Sequence, residues 1–248
     1  MNPRAMPVLL GDDIAFPPAE LALADPEGLL AIGGDLSAPR LLEAYRHGIF
    51  PWYSTGQPIL WWSPDPRMVF RSDGVHLSSR FRRSLRASIW HVQADTCFGS
   101  VVEACAKTPR AGQRGTWITP AMRRAYGEMH ALGHAHSIEV FDEARLVGGL
   151  YGVAVGGMFF AESMYSAVSG GSKVALAALA HRLHEWGWPL IDAQVENEHL
   201  VSLGGERLPR EAFQRLVADR VGLPVEPGPW TMRFGELNAA TLADSHAG

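Results

Sequence analysis

The feature that most limits how this chain can fold is the stretch "HSIEVFDEARLVGGLYGVAVGGMFFAESMYS", His136 to Ser166. Three runs of β-branched, aromatic and small apolar residues are separated by Asp142-Glu143 and by Gly156-Gly157. Short runs bounded by turn-forming pairs predict an antiparallel meander. Directly after it, "SKVALAALAHRLHEWG" sets Leu176, Leu179, Ala180 and Leu183 at helical i, i+3, i+4, i+7 spacing, with Ser172 as the expected N-cap and Gly187 as the stop. A strand follows at Leu190. Strands, a helix and a further strand predict an α/β (α+β) domain in which a ligand sits at the strand ends or at the helix N-terminus.

That last strand, in "PLIDAQVENEH", has polar residues where a buried strand should be apolar. Successive side chains of a strand point to opposite faces, so Asp192 and Gln194 share one face while Ile191, Ala193 and Val195 share the other. Glu162 likewise interrupts an apolar run, "FFAESMYS". A carboxylate among apolar neighbours is costly unless it is paired or hydrogen-bonded. For Glu162 alone a structural salt bridge is at least as good an account as a function. In the series Asp192, Gln194 and Asn197, ligand contact is the better account for Asp192 with Gln194, since one strand face carries two polar groups just before a chain break.

Upstream, "DLSAPRLLEAYRHGIF" predicts a short helix, with Ser37 as N-cap, Pro39 in the first turn, Leu41, Leu42 and Tyr45 on one face, and Gly48 as the stop. The segment after it, "FPWYSTGQPILWWSPDPRMVF", is rich in proline and aromatics and reads as a join. The expected organisation is a small N-terminal domain over residues 1–62, a larger domain over 63–236, and a frayed tail over 237–248.

The net charge is −4, yet 20 of the 22 basic residues are arginine, and "RMVFRSDGVHLSSRFRRSLR" holds six of them. Screening confines each charge to about 8–10 Å, so a local patch matters more for phosphate binding than the net charge does. A solvated arginine-rich face is an equal reading of the run taken alone. Trp52, Trp61, Trp62 and Trp117 suit core packing one by one, but aromatic faces beside a basic patch also hold unpaired nucleotides by stacking.

Other chemistries find little support. "SGGSK" lacks the order of a P-loop, and no GxSxG elbow is present. Cys97 and Cys105 are too few for a disulfide framework and lack metal spacing, so they are expected to be small core residues. His134 with His136, and His181 with His184, have the spacing to share faces, but without an HExxH pattern packing roles are expected and no metal or other cofactor is. No run reaches the roughly 18 apolar residues of a membrane span, and no apolar leader opens the chain. A monomeric cytoplasmic protein without membrane contact is expected.

In order along the chain, "GIFPWYS", "ILWWSPDPRMV", "GTWIT", "LGHAHSIEV", "LVGGLYGVAVG", "FFAESMYS" and "LIDAQVENEHLVSLGGERLPREAF" resemble the leucyl/phenylalanyl-tRNA–protein transferases, over about residues 14 to 235. The resemblance implies an acetyltransferase-like (GNAT-like) larger domain. It also implies transfer of leucine or phenylalanine, with methionine as a possible third, from aminoacyl-tRNA to proteins with N-terminal arginine or lysine, marking them for degradation. In this reading Asp192 and Gln194 form a proton relay assisted by Asn197, or else Asp192 and Glu162 anchor the cationic N-terminal residue. Trp52 and Trp117 would stack on the terminal adenosine. Leu150, Phe159 and Met164 would line the aminoacyl pocket, and Arg80, Arg82, Arg83 and Arg86 would meet tRNA phosphates by basic character alone. Leu150 stands where a methionine can occur and Tyr165 where a phenylalanine can, which leaves the choice between substrates open.

Two rivals are an acetyl-CoA-dependent N-acetyltransferase and a non-catalytic tRNA-binding module. The first needs a pyrophosphate-gripping turn that "SAVSGGSK" does not match, and the second has no need of Asp192 and Gln194.

Overall fold

A computed structural model describes residues 6–108 and 116–244, and strands occupy the three runs of the expected meander and the stretch that begins at Leu190. The first part of the chain supplies β1 (Val8–Leu10), β2 (Leu29–Gly33), helix α1 (Ala38–Arg46), β3 (Phe50–Pro51) and β4 (Leu60–Trp62). The four strands form one mixed sheet in the order β1-β2-β4-β3. Helix α1 starts after Ser37 with a proline in its first turn, and the chain leaves it at Gly48 with a φ of 62°. Gly48 thus ends it as read.

The remainder supplies β5 (Arg67–Arg71), α2 (Ser79–Leu85), β6 (His91–Ala94), α3 (Phe98–Lys107), α4 (Pro120–Ala131), β7 (Ala135–Asp142), β8 (Arg145–Val155) and β9 (Met158–Ser166). After these come α5 (Gly171–Glu185), β10 (Leu190–Gln194), α6 (Glu198–Ser202), β11 (Glu206–Leu208), α7 (Arg210–Val221), α8 (Thr231–Phe234) and β12 (Leu237–Asn238). Eight strands make a second sheet in the order β11-β5-β10-β9-β8-β7-β6-β12. Its centre is the expected antiparallel meander β7-β8-β9, and α5 carries the chain across to β10, which lies parallel to β9. This is the mixed α/β arrangement that the sequence implied.

Each face of the large sheet has its own core. Leu41, Val101, Met122 and Phe213, from α1, α3, α4 and α7, cover one face together with residues of the small sheet. Val174, Leu176, Leu179 and Leu183 of α5 cover the other. Helix α5 lies close because two glycines meet: a Cβ on Gly148 of β8 would lie 2.5 Å from the Gly171 backbone. Its N-cap is Gly170, with a φ of 95°, and not Ser172, which sits inside the first turn. The glycine wins because that backbone conformation strains other residues.

A second correction concerns the tail. Residues 237–243 are not frayed: β12 pairs with β6, and Leu237, Ala239, Leu242 and Ala243 are buried against α5 and its neighbours. Four apolar side chains in a nominal tail outweigh its terminal position. Residues 245–248 lie outside the described residues.

Two strands depart from a regular ladder. Along β9, Ala161 faces Gly152 and Ser163 faces Tyr151, so Glu162 is an extra residue with no partner on β8. Along β10, Asp192 faces Val69 and Gln194 faces Met68, so Ala193 is extra, and Gln194 has a φ of 62°. Bulges of this kind re-aim side chains. Gly152 sits opposite the first, where a Cβ would come within 2.3 Å of the Phe160 carbonyl.

Candidate active site

The two bulges bring the polar residues of β9 and β10 together. The Gln194 side-chain amide donates to Glu162 Oε1 at 2.7 Å, and the Gln194 backbone N–H donates to Asp192 Oδ1 at 2.9 Å. The Asp192 and Gln194 side chains both reach the Tyr45 side of the sheet, although the extra Ala193 breaks the strand period between them. Glu162 also accepts from the Tyr45 hydroxyl of α1 at 2.8 Å and from the Tyr126 hydroxyl of α4 at 2.7 Å. These two hydroxyls are 2.7 Å from each other.

The surroundings separate the two carboxylates. Asp192 is wholly buried and takes Arg67 as a bidentate partner, Nε to Oδ1 at 2.8 Å and Nη2 to Oδ2 at 2.7 Å. The Arg67 guanidinium lies between the rings of Phe50 and Phe213, 4.7 and 4.6 Å from their centroids. Its Nη1 is buried without a hydrogen-bond partner among the described residues. Glu162 has no cation paired with it among the described residues and keeps 7% of its surface exposed. Burial pushes its carboxyl up to about 7, against the pull of the hydrogen bonds from Tyr126, Tyr45 and Gln194. Burial first, and the Glu162 charge second, hold both tyrosines well above their ordinary range.

Arg67, Tyr45 and Tyr126 are the site residues that sequence reading missed. Arg67 opens the arginine-rich stretch and was counted with the surface patch, but it is buried. Its position inside "RMVF", an apolar strand run, was the available signal.

The other sequence-derived residues fall into separate groups. Asn197 is exposed and caps α6, its Oδ1 accepting from Leu200 N at 2.9 Å. Leu150 and Met164 face each other across β8 and β9, and both join Phe159 in the α5-side core, on the opposite sheet face from Tyr45 and Tyr126. Leu150 and Phe159 are buried, and Met164 is half-buried. Trp52 and Trp117 are both half-buried against the other core. Their segments are joined by a 3.5 Å contact between the Tyr53 and Thr119 hydroxyls, and Trp52 packs against Trp62.

Arg80, Arg82, Arg83 and Arg86 lie on or at the end of α2. Arg80, Arg83 and Arg86 are exposed, Arg82 donates to the Leu77 carbonyl, and Arg86 meets Asp244. Phe81 sets this helix beside the start of α5, under the Lys173 ammonium at 5.7 Å. At that start the Gly171 and Ser172 amides already donate, to the Val168 carbonyl and to Ser166 Oγ, so the turn does not offer them to a pyrophosphate.

Among the histidines, His136 is buried 2.8 Å from an Asp95 carboxylate oxygen and stacks on Trp230. Cys105 is a buried core residue, and Cys97 is half-buried just before α3. Among the described residues no cluster of His, Cys, Asp and Glu is arranged to hold a metal, and no helix is long and apolar enough to cross a membrane.

The family model for leucyl/phenylalanyl-tRNA protein transferase matches residues 69–218, and the model for the N-terminal domain of that family matches residues 34–65. The chain belongs to the leucyl/phenylalanyl-tRNA–protein transferase family. It is thereby an enzyme of the aminoacyltransferase class. Proteins of that name are similar over almost the whole chain. The one from Xanthomonas oryzae pv. oryzae (strain MAFF 311018) is 66% identical, covering 99% of each chain. That from Xanthomonas campestris pv. campestris (strain B100) is 64% identical over 97% of each. That from Xylella fastidiosa (strain 9a5c) is 62% identical over 89% of this chain and 91% of its own.

Among solved structures, a functionally unknown conserved protein from Staphylococcus epidermidis aligns with 73% of this leucyl/phenylalanyl-tRNA–protein transferase family member and 68% of its own chain, at 8% identity and a TM-score of 0.42. L-PGS from Bacillus licheniformis aligns with 70% and 66%, at 13% identity and a TM-score of 0.36. Likeness at that level adds nothing to the family assignment.

Proposed function

We propose that this chain moves a leucyl or phenylalanyl group from its tRNA to the α-amino group of proteins that begin with arginine or lysine. The observation that carries this reading is the pair of buried carboxylates joined through Gln194, at the bulges of two neighbouring parallel strands in an aminoacyltransferase. An aminoacyl ester is already activated, and an α-amine of ordinary pKa about 7.7–8.0 is partly neutral at pH 7. Positioning and a mild base then suffice, without a nucleotide or a metal. Glu162, the carboxylate of this pair with no cation beside it among the described residues, also suits the cationic side chain of an N-terminal arginine.

Residues 1–62 form the small domain in this reading and 63–236 the larger one, acting as a cytoplasmic monomer. Leu150, Phe159 and Met164 receive the apolar aminoacyl side chain. An unbranched methionine beside an aromatic ring adapts to both leucine and phenylalanine. Because Leu150 and Phe159 are buried here, that reading requires the α5-side core to open when the substrate enters.

The test is transfer of labelled leucine from leucyl-tRNA to a peptide beginning with arginine, beside the same peptide beginning with alanine. Product on the arginine peptide alone is expected. Product on neither, with tRNA still bound, would leave a tRNA-binding module, and acetyl transfer from acetyl-CoA would point to the other rival. Trp52 and Trp117 are read as the adenosine-stacking pair. Trp117→Ala is therefore expected to weaken binding of aminoacyl-tRNA by roughly 1–3 kcal/mol, measured by filter binding, with the melting temperature little changed. Unchanged affinity would return Trp117 to a packing role.

A further inference from the structure

Two buried carboxylates lie beside one glutamine, and the hydrogen atoms around them can be counted. Asp192 is held by three donors: Arg67 donates to both of its oxygens, and the Gln194 backbone amide donates a third bond to Oδ1. Glu162 is different. Its two oxygens and the hydroxyls of Tyr45 and Tyr126 close a ring with three oxygen-to-oxygen gaps, of 2.8, 2.7 and 2.7 Å. With the carboxylate ionised, only the two tyrosine hydrogens are available for the three gaps. When Glu162 takes a proton, three hydrogens fill three gaps, each hydroxyl donating to the next oxygen around the ring. The ring is complete only in the protonated form.

We infer that Glu162 receives the proton released when the α-amine attacks the aminoacyl ester, and that Arg67 and Asp192 are positioning residues that hold Gln194 against it. This rests on the function proposed above. Balance is simple: the amine nitrogen bonds to the ester carbon and gives its proton to Glu162, the bond from that carbon to the ribose oxygen breaks, and the proton passes to that oxygen. No oxidant, metal or nucleotide enters. Gln194 stands in a left-handed backbone conformation that glutamine rarely adopts. The bond from its own amide to Asp192 holds it there, and Arg67 fixes Asp192. Burial, which brings the Glu162 carboxyl up to about 7, gives the basicity the step needs.

The experiment follows transfer from leucyl-tRNA to an arginine peptide whose terminal amine is replaced by the less basic aminooxy group. The nucleophile then stays neutral from about pH 6 to about pH 9, and any rise in turnover near pH 7 belongs to the enzyme. Glu162→Gln is expected to lower turnover by about 10²–10⁴-fold and to abolish that rise. The double variant Arg67→Met with Asp192→Leu removes the pair without stranding a charge. It is expected to remain folded, to lose turnover by about tenfold or more with little change in KM, and to keep the rise near pH 7. A rise that survives in Glu162→Gln, or that disappears in the double variant, overturns the inference. Should the double variant not fold, the nearly isosteric Glu162→Gln still decides. Failure of the wild-type protein to transfer leucine to an ordinary arginine peptide would instead overturn the proposed function.

Discussion

Arg67→Met alone lowers the free energy of unfolding by about 3–5 kcal/mol, because it leaves the wholly buried Asp192 carboxylate without its partner. Asp192→Asn acts in the same direction by stranding the guanidinium between Phe50 and Phe213. Removing both charges at once is different in kind. In Arg67→Met with Asp192→Leu the desolvation cost of two ions disappears, and a pair replaced by apolar residues of similar volume is often neutral or stabilising by about 1–4 kcal/mol. Urea unfolding of the two single variants and the double variant measures the cycle. A double variant as unstable as either single would show that the site cannot be packed without charge.

Glu139→Gln gains about 3 kcal/mol on the wild-type protein between pH 4.5 and pH 8, the second large effect expected. Glu139 is wholly buried on β7, where Ser137, Thr96 and the Cys97 amide hydrogen-bond to it. Burial nevertheless pushes its carboxyl from 4.5 up to about 7. The folded protein therefore keeps this proton to higher pH than the unfolded chain does. The stabilisation is complete below about pH 4.5 and is lost as the pH rises through about 7. Moving a buried carboxyl that far corresponds to on the order of 3 kcal/mol, and glutamine does not titrate. Unfolding free energies of both proteins across the range give the difference, and a difference independent of pH would sink the account. Glu162 titrates over the same window in both proteins, so its contribution cancels.

What was legible in the sequence follows from the range of the interactions. The meander, the α5 periodicity and the returning strand are local patterns, each decided within a few residues. Glu162, Asp192 and Gln194 stood out because a polar group on a buried strand breaks such a pattern. Their partners did not stand out. Arg67 is 125 residues from Asp192, and Tyr45 is 117 from Glu162. A tyrosine on the apolar face of α1 looks the same whether its hydroxyl meets a carboxylate or water. The tail was misread because its few apolar residues are informative only beside β6 and α5. Ser172 was misread as a cap because a single sequence does not give Gly170 its φ.

The extra residue in β9 has a consequence for how proteins of this kind can vary. Phe159 and Met164 are five apart, an odd spacing that in an unbroken strand sends two side chains to opposite faces. They lie on the same face here only because the ladder skips Glu162. A deletion of one residue between 160 and 164 would make that spacing four, which an unbroken ladder keeps on one face, so Met164 would still meet Leu150 while the extra position that aims Glu162 at Gln194 would be lost. This strand is thus free to change its letters but not its length, and inherited insertions and deletions should collect in the turn at 142–145, outside the stretch from Gly152 to Ser166.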